Sequence, residues 1–381
     1  ASPGRGHYAE SREGARLIAE CRARINTLIG GESPAHVVFT LNTSDALNLA
    51  IKGAVRRRRL DAPGRPIHLV STDMDHNSVL RPYAALAEEP EVSVTFVGAD
   101  PGTGMVRAED VAAAITPDTL LVSVVHVSNV SGAIQPIVEI GRLCRAKGVL
   151  YLIDAAQSLG HVPFDARSSF ADLVAFPGHK GLMGPQGTGG LYIRPGVEGL
   201  IATTREGGTG HLSELEVQPD EMPQKFEAGS HNTIGIVGLS EGVRWLNERG
   251  QDVCRRHELE LIGVMLDELR AGGARTLESP EGSGPLAGLT LLGPADPSQR
   301  CGTFSFTHDT LSPGEIVLAL EEGFGVLARA GIHCAPRAHG TLGSLRSGGA
   351  ARMSVGPFVT PDDVRTAARA LREICASVTP A

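Results

Sequence analysis

Seven short apolar and β-branched runs punctuate residues 36–194: HVVFT (36–40), IHLVS (67–71), VSVTFV (92–97), LLVSVVH (120–126), VLYLI (149–153), DLVAF (172–176) and GGLYIR (189–194). Amphipathic stretches of helix length separate most of them, and strands alternating with helices predict βαβ units and a largely parallel sheet. The last two runs are too close for a crossover helix, so this pair is expected to be antiparallel. After residue 195 the pattern gives way to a polar, Gly-rich passage, TTREGGTGHLSELEVQPDEMPQKFEAGSHN, whose length points to function rather than mere connection. Helical patterning returns in EIVLALEEGFG (315–325), and ARMSV (351–355) precedes a closing helix, PDDVRTAARALREICA (361–376). The expected layout is a large α/β domain over residues 1–255 and a smaller α+β domain over 256–381, with the N-terminal segment able to pack on the latter.

Composition narrows the function. A chain of 381 residues exceeds what one core usually holds. A net charge of −8, with 20% charged residues, argues against nucleic acid or an anionic membrane as partner and favours a small solute or another protein. Six scattered cysteines, with no C-x-x-C pair, predict neither a disulfide framework nor a metal site, and fit a reducing compartment. The stretch ASPGRGHYAESREGARL lacks an apolar signal core and no long apolar run follows, so a soluble, cytoplasmic protein is expected.

In an open parallel sheet ligands bind beyond the carboxyl ends of the strands. Residues with chemistry cluster there. LNTSDALN follows the first run, where Thr43 and Ser44 open a helix and offer hydroxyls and N–H groups to a phosphate. His76 follows the second run, Asn129 the fourth, Asp154 and Gln157 the fifth, and His179 and Lys180 the sixth. Singly, these read as a helix cap, turn residues and a solvated lysine. Together, a phosphate seat, a carboxylate and a lysine match the needs of pyridoxal 5′-phosphate: a Schiff-base lysine, a partner for the pyridine nitrogen and a phosphate anchor. Gly178, Gly181, Gly184 and Gly187 around Lys180 are expected to let backbone approach the cofactor. A nucleotide reading fails, since Lys180 precedes the glycines and no G-x-G-x-x-G turn follows the first strand.

Eight motifs in order, from PGRG (3–6) to the closing helix, resemble the class V, fold-type I pyridoxal-phosphate enzymes, and within them the cysteine desulfurase and selenocysteine lyase branch. They are LNTSDALN, DHNSVLRP, HVSNVSGAIQP, IDAAQS, GHKGLMGPQGTGGLYI, FEAGSHN, ARAGIHCAP and ARMSVGPF. The resemblance implies that Lys180 bonds the cofactor, Asp154 meets its ring nitrogen, Gln157 its phenolic oxygen, and His76 stacks on the ring and assists proton transfers. Thr43, Ser44 and His179 would bind the phosphate, joined by Ser230 from a second subunit of a homodimer. Asn129 and Arg352 would hold the substrate carboxylate, Arg329 would line the entrance, and Cys334 would take up sulfur.

The implied reaction is L-cysteine to L-alanine, with a persulfide formed on Cys334 and handed to an acceptor protein. It requires an accessible Cys334 kept electropositive by Arg329, His333 or Arg352. Selenocysteine lyase, C–S lyase, epimerase, aminotransferase and an inactive binding protein remain alternatives. Pro177 and Val359 stand where relatives often carry a hydroxyl residue and Asn, and relatives have a further N-terminal segment before Ala1. RRRRL (56–60) reads as a solvated helix end and His339 as a loop residue.

Overall fold

The computed structural model describes residue 3 and residues 6–378; Gly4 and Arg5 of the PGRG motif lie outside the described residues. The first part of the chain runs α1 (Ala9–Leu28), β1 (Val37–Thr40), α2 (Thr43–Asp61), β2 (Ile67–Thr72), α3 (Asn77–Leu86), β3 (Val92–Val97), α4 (Ala108–Ala114), β4 (Thr119–Val125), α5 (Ile137–Lys147), β5 (Leu150–Asp154), β6 (Leu173–Pro177) and β7 (Gly189–Ile193). All seven expected runs are strands of one sheet, in the order β1-β7-β6-β5-β4-β2-β3. The expected antiparallel step is present, and β7 runs antiparallel to β1 as well as to β6.

Helices cover both faces of this sheet, so alternate residues of each strand enter different cores. Val70, Val122, Ile153, Val174 and Tyr192 join one cluster with Ile25 and Leu239. Leu69, Leu121, Leu152, Leu173 and Leu191 join the other with Ala50 and Tyr83. Burial on both faces is why these strands read as continuous apolar runs.

The passage after β7 contains only a single 3₁₀ turn (Glu198–Leu200) before α6 (Thr233–Arg249) and α7 (Gln251–Ala271). Then come β8 (Arg275–Thr276), β9 (Leu289–Leu292), β10 (Thr303–His308), α8 (Pro313–Phe324), β11 (Arg329–Gly331), α9 (Pro336–Thr341), β12 (Ala350–Ser354) and α10 (Pro361–Ala376). The second sheet has the order β11-β12-β10-β9-β8. Its core holds Leu261, Met265, Phe304, Ile316 and Leu371. Helix α7 serves both halves, since its Cys254 packs in the large core and its Leu261 in the small one. His339 lies on α9 and is fully buried, not on an exposed loop.

Helix α1, part of the N-terminal segment expected to be able to pack on the smaller domain, buries Cys21, Ile25 and Leu28 along one stripe in the cluster of the large sheet. It also buries Arg22, whose Nη1 and Nη2 donate to Glu227 at 2.6 and 2.5 Å. Glu227 accepts further from the Phe39 N–H at 2.7 Å and faces His231 Nε2 at 3.2 Å. This buried pair fastens the irregular 226–232 stretch to α1 and β1. Breaking a buried pair strands the remaining charge, so Arg22→Ala is expected to destabilise the fold by about 3–5 kcal/mol in urea denaturation.

Candidate active site

At the carboxyl ends of β4, β5 and β6 lies a cavity of about 360 Å³, within the range of small-molecule sites. Its wall includes Thr43, Ser44, His76, Asn129, Asp154, Gln157, His179 and Lys180, residues separated by up to 137 positions in the chain but gathered by the parallel sheet.

One end of the cavity is built to receive an anion. Helix α2 begins there, capped by Asn42, whose side chain accepts from the Asp45 N–H at 3.0 Å. Thr43 and Ser44 are therefore the first helical residues rather than the cap, and their N–H groups have no protein acceptor among the described contacts. A helix N-terminus with two free N–H groups and adjacent hydroxyls suits a phosphate or similar anion. Ser44 Oγ lies 2.6 Å from Ser78 Oγ, which lies 2.9 Å from His76 Nδ1. Ser78 thus links the anion seat to the imidazole. The sequence reading missed it because the pairing joins two helix starts 34 residues apart.

Asp154, at the end of β5, is 2% exposed. It accepts from the Ala156 N–H at 2.9 Å, and burial raises its pKa against that bond and the field of Lys180. A buried carboxylate without a close cation is costly, and a cationic ring nitrogen would relieve it. Lys180 keeps solvent contact at the cavity yet is surrounded on most sides. Burial lowers its pKa, Asp154 opposes the shift, and Arg352 and Arg329 add to it. A lysine so placed has a larger neutral, nucleophilic fraction than a solvated one. The arrangement can hold a flat cationic ring with an anionic tail beside an amine.

The glycines around Lys180 serve a different purpose from the one expected. A Cβ on Gly178 would overlap Thr188 Oγ1, one on Gly181 would overlap the Leu159 carbonyl, and one on Gly184 would come within 2.9 Å of Leu239 Cα. These three allow the Lys180 loop to pack on its own protein neighbours, whereas Gly187 has a φ of +77° and meets no close neighbour.

Cys334, Arg329 and Arg352 stand just outside the cavity wall. Cys334 is exposed, whereas the other five cysteines are buried. His333 and Cys334 both adopt the left-handed conformation, with φ of 51° and 60°. For non-glycine residues this costs about 1 kcal/mol or more each and persists only where neighbours enforce it. The neighbours are clear: the Asn77 N–H donates to the Cys334 carbonyl at 2.7 Å, and Asn129 Nδ2 donates to the His333 carbonyl at 2.6 Å. Arg352 Nη1 in turn donates to the Asn129 carbonyl at 3.0 Å. His333, expected as a source of positive potential, is instead neutral, because burial pushes its pKa down to about 4. Positive charge near Cys334 comes from Lys180 and Arg352, each of which feels the cysteine.

Arg329 and Arg352 are direct cross-strand partners on β11 and β12. Like charges in register repel, and neither guanidinium has an ion pair among the described residues. An anion between them would remove the conflict. Ser230 is not in the cavity: it is exposed and borders a separate cleft with Arg22, Glu227 and His231.

Burial leaves four histidines neutral near neutral pH: His76, His333 and His339 are pushed down to about 4 and His126 to about 3, from an ordinary 6.5. Between pH 6.5 and 4 the unfolded chain binds protons there that the folded chain refuses, so acid favours unfolding. Asp75, raised by burial to about 7 from 3.8, and Asp154, also raised by burial, act in the opposite sense over their own windows, two groups against four. Unfolding free energy in urea is therefore expected to fall from pH 7 to 4.5. A flat or rising profile would contradict this account.

Residues 1–366 match the family model Aminotransferase class-V. The chain is 35% identical over 376 residues to a "Probable cysteine desulfurase" of Methanothermobacter thermautotrophicus, covering 98% of this chain and 88% of that protein. A protein of the same description from Pyrococcus abyssi is 30% identical over 377 residues, covering 98% and 87%. The apo structure of a cysteine desulfurase from Thermococcus onnurineus superposes with a TM-score of 0.87 at 29% identity, covering 99% of this chain and 88% of that one. With a family match over nearly its whole length, this chain belongs to the class-V aminotransferases.

Proposed function

We propose that this protein is a pyridoxal-phosphate-dependent cysteine desulfurase that converts L-cysteine to L-alanine and takes the sulfur onto Cys334. The observation that carries the reading is Cys334 itself: the one exposed cysteine, held in a left-handed backbone beside Asn129 and within the field of Lys180.

The cavity fits the cofactor. The unspent N–H groups and hydroxyls of Thr43 and Ser44, with His179, would hold the phosphate, and Ser230 of a second copy would complete that seat in a homodimer. Asp154 would take the ring N–H and Gln157 would donate to the phenolic oxygen. When bound, pyridoxal phosphate supplies an electron sink that eases loss of the substrate Cα proton and weakening of the Cβ–S bond.

The chain's own groups do the rest. Arg352, with Arg329 at its side and Asn129 beneath, binds the substrate carboxylate by charge-assisted bonds. Lys180 Nζ takes the proton from Cα, a role that its lowered pKa favours. His76, neutral because burial pushes its pKa to about 4, would stack as an imidazole on the ring and assist proton transfers. The Cys334 thiolate attacks the substrate sulfur; an S–S bond forms, the Cβ–S bond breaks, and the carbon skeleton gains protons at Cβ and Cα to leave as alanine. The persulfide on Cys334 then passes its outer sulfur to an acceptor thiol, in a compartment reducing enough to keep that thiol free.

The test is product analysis with L-cysteine and a reductant on the cofactor-loaded enzyme. Wild type is expected to yield alanine, and Cys334→Ala to lose that yield by at least a hundredfold. Pyruvate persisting in Cys334→Ala would instead establish an elimination lyase.

A further inference from the structure

The Cys334 segment is strapped to the large domain at three points, and only two of them belong to the site described so far. Those two are the Asn77 N–H to Cys334 carbonyl bond of 2.7 Å and the Asn129 Nδ2 to His333 carbonyl bond of 2.6 Å. The third is Arg337, the second residue of α9. Its Nη1 lies 3.0 Å from Asp73 Oδ1, and its guanidinium lies over the Phe96 ring, 3.8 Å from the centroid. Asp73 is itself anchored, its N–H donating to the Val97 carbonyl at 2.9 Å. Residues 334–337 thus lie across residues 73–77, and the bracketed stretch carries His76.

Two consecutive left-handed residues need more than one tether, because each relaxes readily once its neighbours let go. Helix α9 has only six residues, too short to stand alone. Arg337 is suited to steady it: a planar guanidinium can pair with a carboxylate and stack on an aromatic face at once, which an ammonium does less well. Both contacts are partly solvated, with side-chain exposures of 45% for Arg337 and 24% for Asp73, so the strap is weak enough to be released.

We propose that Arg337 is a positioning residue, whose joint contact with Asp73 and Phe96 holds Cys334 in register with His76 and Lys180. The inference rests on the desulfurase reading for its consequence in turnover, but not for the strap itself. Releasing the strap would let Cys334 wander from the substrate sulfur while leaving the cavity and the carboxylate site intact.

The experiment compares wild type, Arg337→Ala and Arg337→Lys as cofactor-loaded proteins. It reads the alkylation rate of Cys334 by iodoacetamide, located by peptide mass, together with cofactor absorbance, kcat and KM for L-cysteine. Arg337→Ala is expected to alkylate severalfold faster and to lose about tenfold or more in kcat, with KM and absorbance little changed. Arg337→Lys, which keeps the charge but stacks less well, should fall between. Wild-type alkylation and kcat in Arg337→Ala would overturn the proposal, as would loss of cofactor in step with activity, which marks a merely structural role. If wild type makes no Cys334-dependent alanine, the desulfurase reading fails instead, and the alkylation rates alone then decide the strap.

Discussion

A carboxylate buried at the end of a central strand has to be balanced by positive charge, and much of the site follows from that. Asp154 is nearly inaccessible, and its one short bond is to the Ala156 N–H. Lys180 balances it only in part, because the lysine is itself partly desolvated and faces the cations of Arg352 and Arg329. The result is a carboxyl group that wants a cation and an amine that holds its proton loosely, on adjacent strands. A cofactor that brings a protonated ring nitrogen and an aldehyde would satisfy both.

The same economy of charge extends outward. Arg329 and Arg352 are paired across β11 and β12 with no ion pair among the described residues, so the second sheet delivers two cations to the rim of a cavity made by the first. Nearby histidines add nothing to this positive field, since burial keeps His76 and His333 neutral. Cys334 sits where the two sheets meet, its conformation imposed by hydrogen bonds from the large domain through Asn77 and Asn129. The Cys334 loop therefore takes its geometry from the half of the molecule that holds the other candidate site residues.

The large sheet was legible in sequence because its strands are buried on both faces, leaving uninterrupted runs such as LLVSVVH. Position at the strand ends also grouped Asp154, His179 and Lys180 without any knowledge of contacts, and all three line one cavity. What escaped notice depends on distance in the chain. The Arg22–Glu227 pair joins residues 205 positions apart, and Arg337 reaches 264 positions back to Asp73. No local pattern marks either. The glycines near Lys180 were misread for a related reason: a missing Cβ shows that something approaches closely, but not that the visitor is Leu159 or Thr188 rather than a ligand. His333 was misjudged because a histidine's charge depends on burial, which one sequence does not display.

The central claim is that Cys334 receives the substrate's sulfur. The most direct measurement is intact-peptide mass analysis of all six cysteines after brief exposure of the cofactor-loaded enzyme to L-cysteine, without reductant. The account predicts one additional sulfur atom on the peptide bearing Cys334 and on no other, absent from Lys180→Ala. An unmodified Cys334 after turnover, or sulfur carried by one of the buried cysteines, would contradict it.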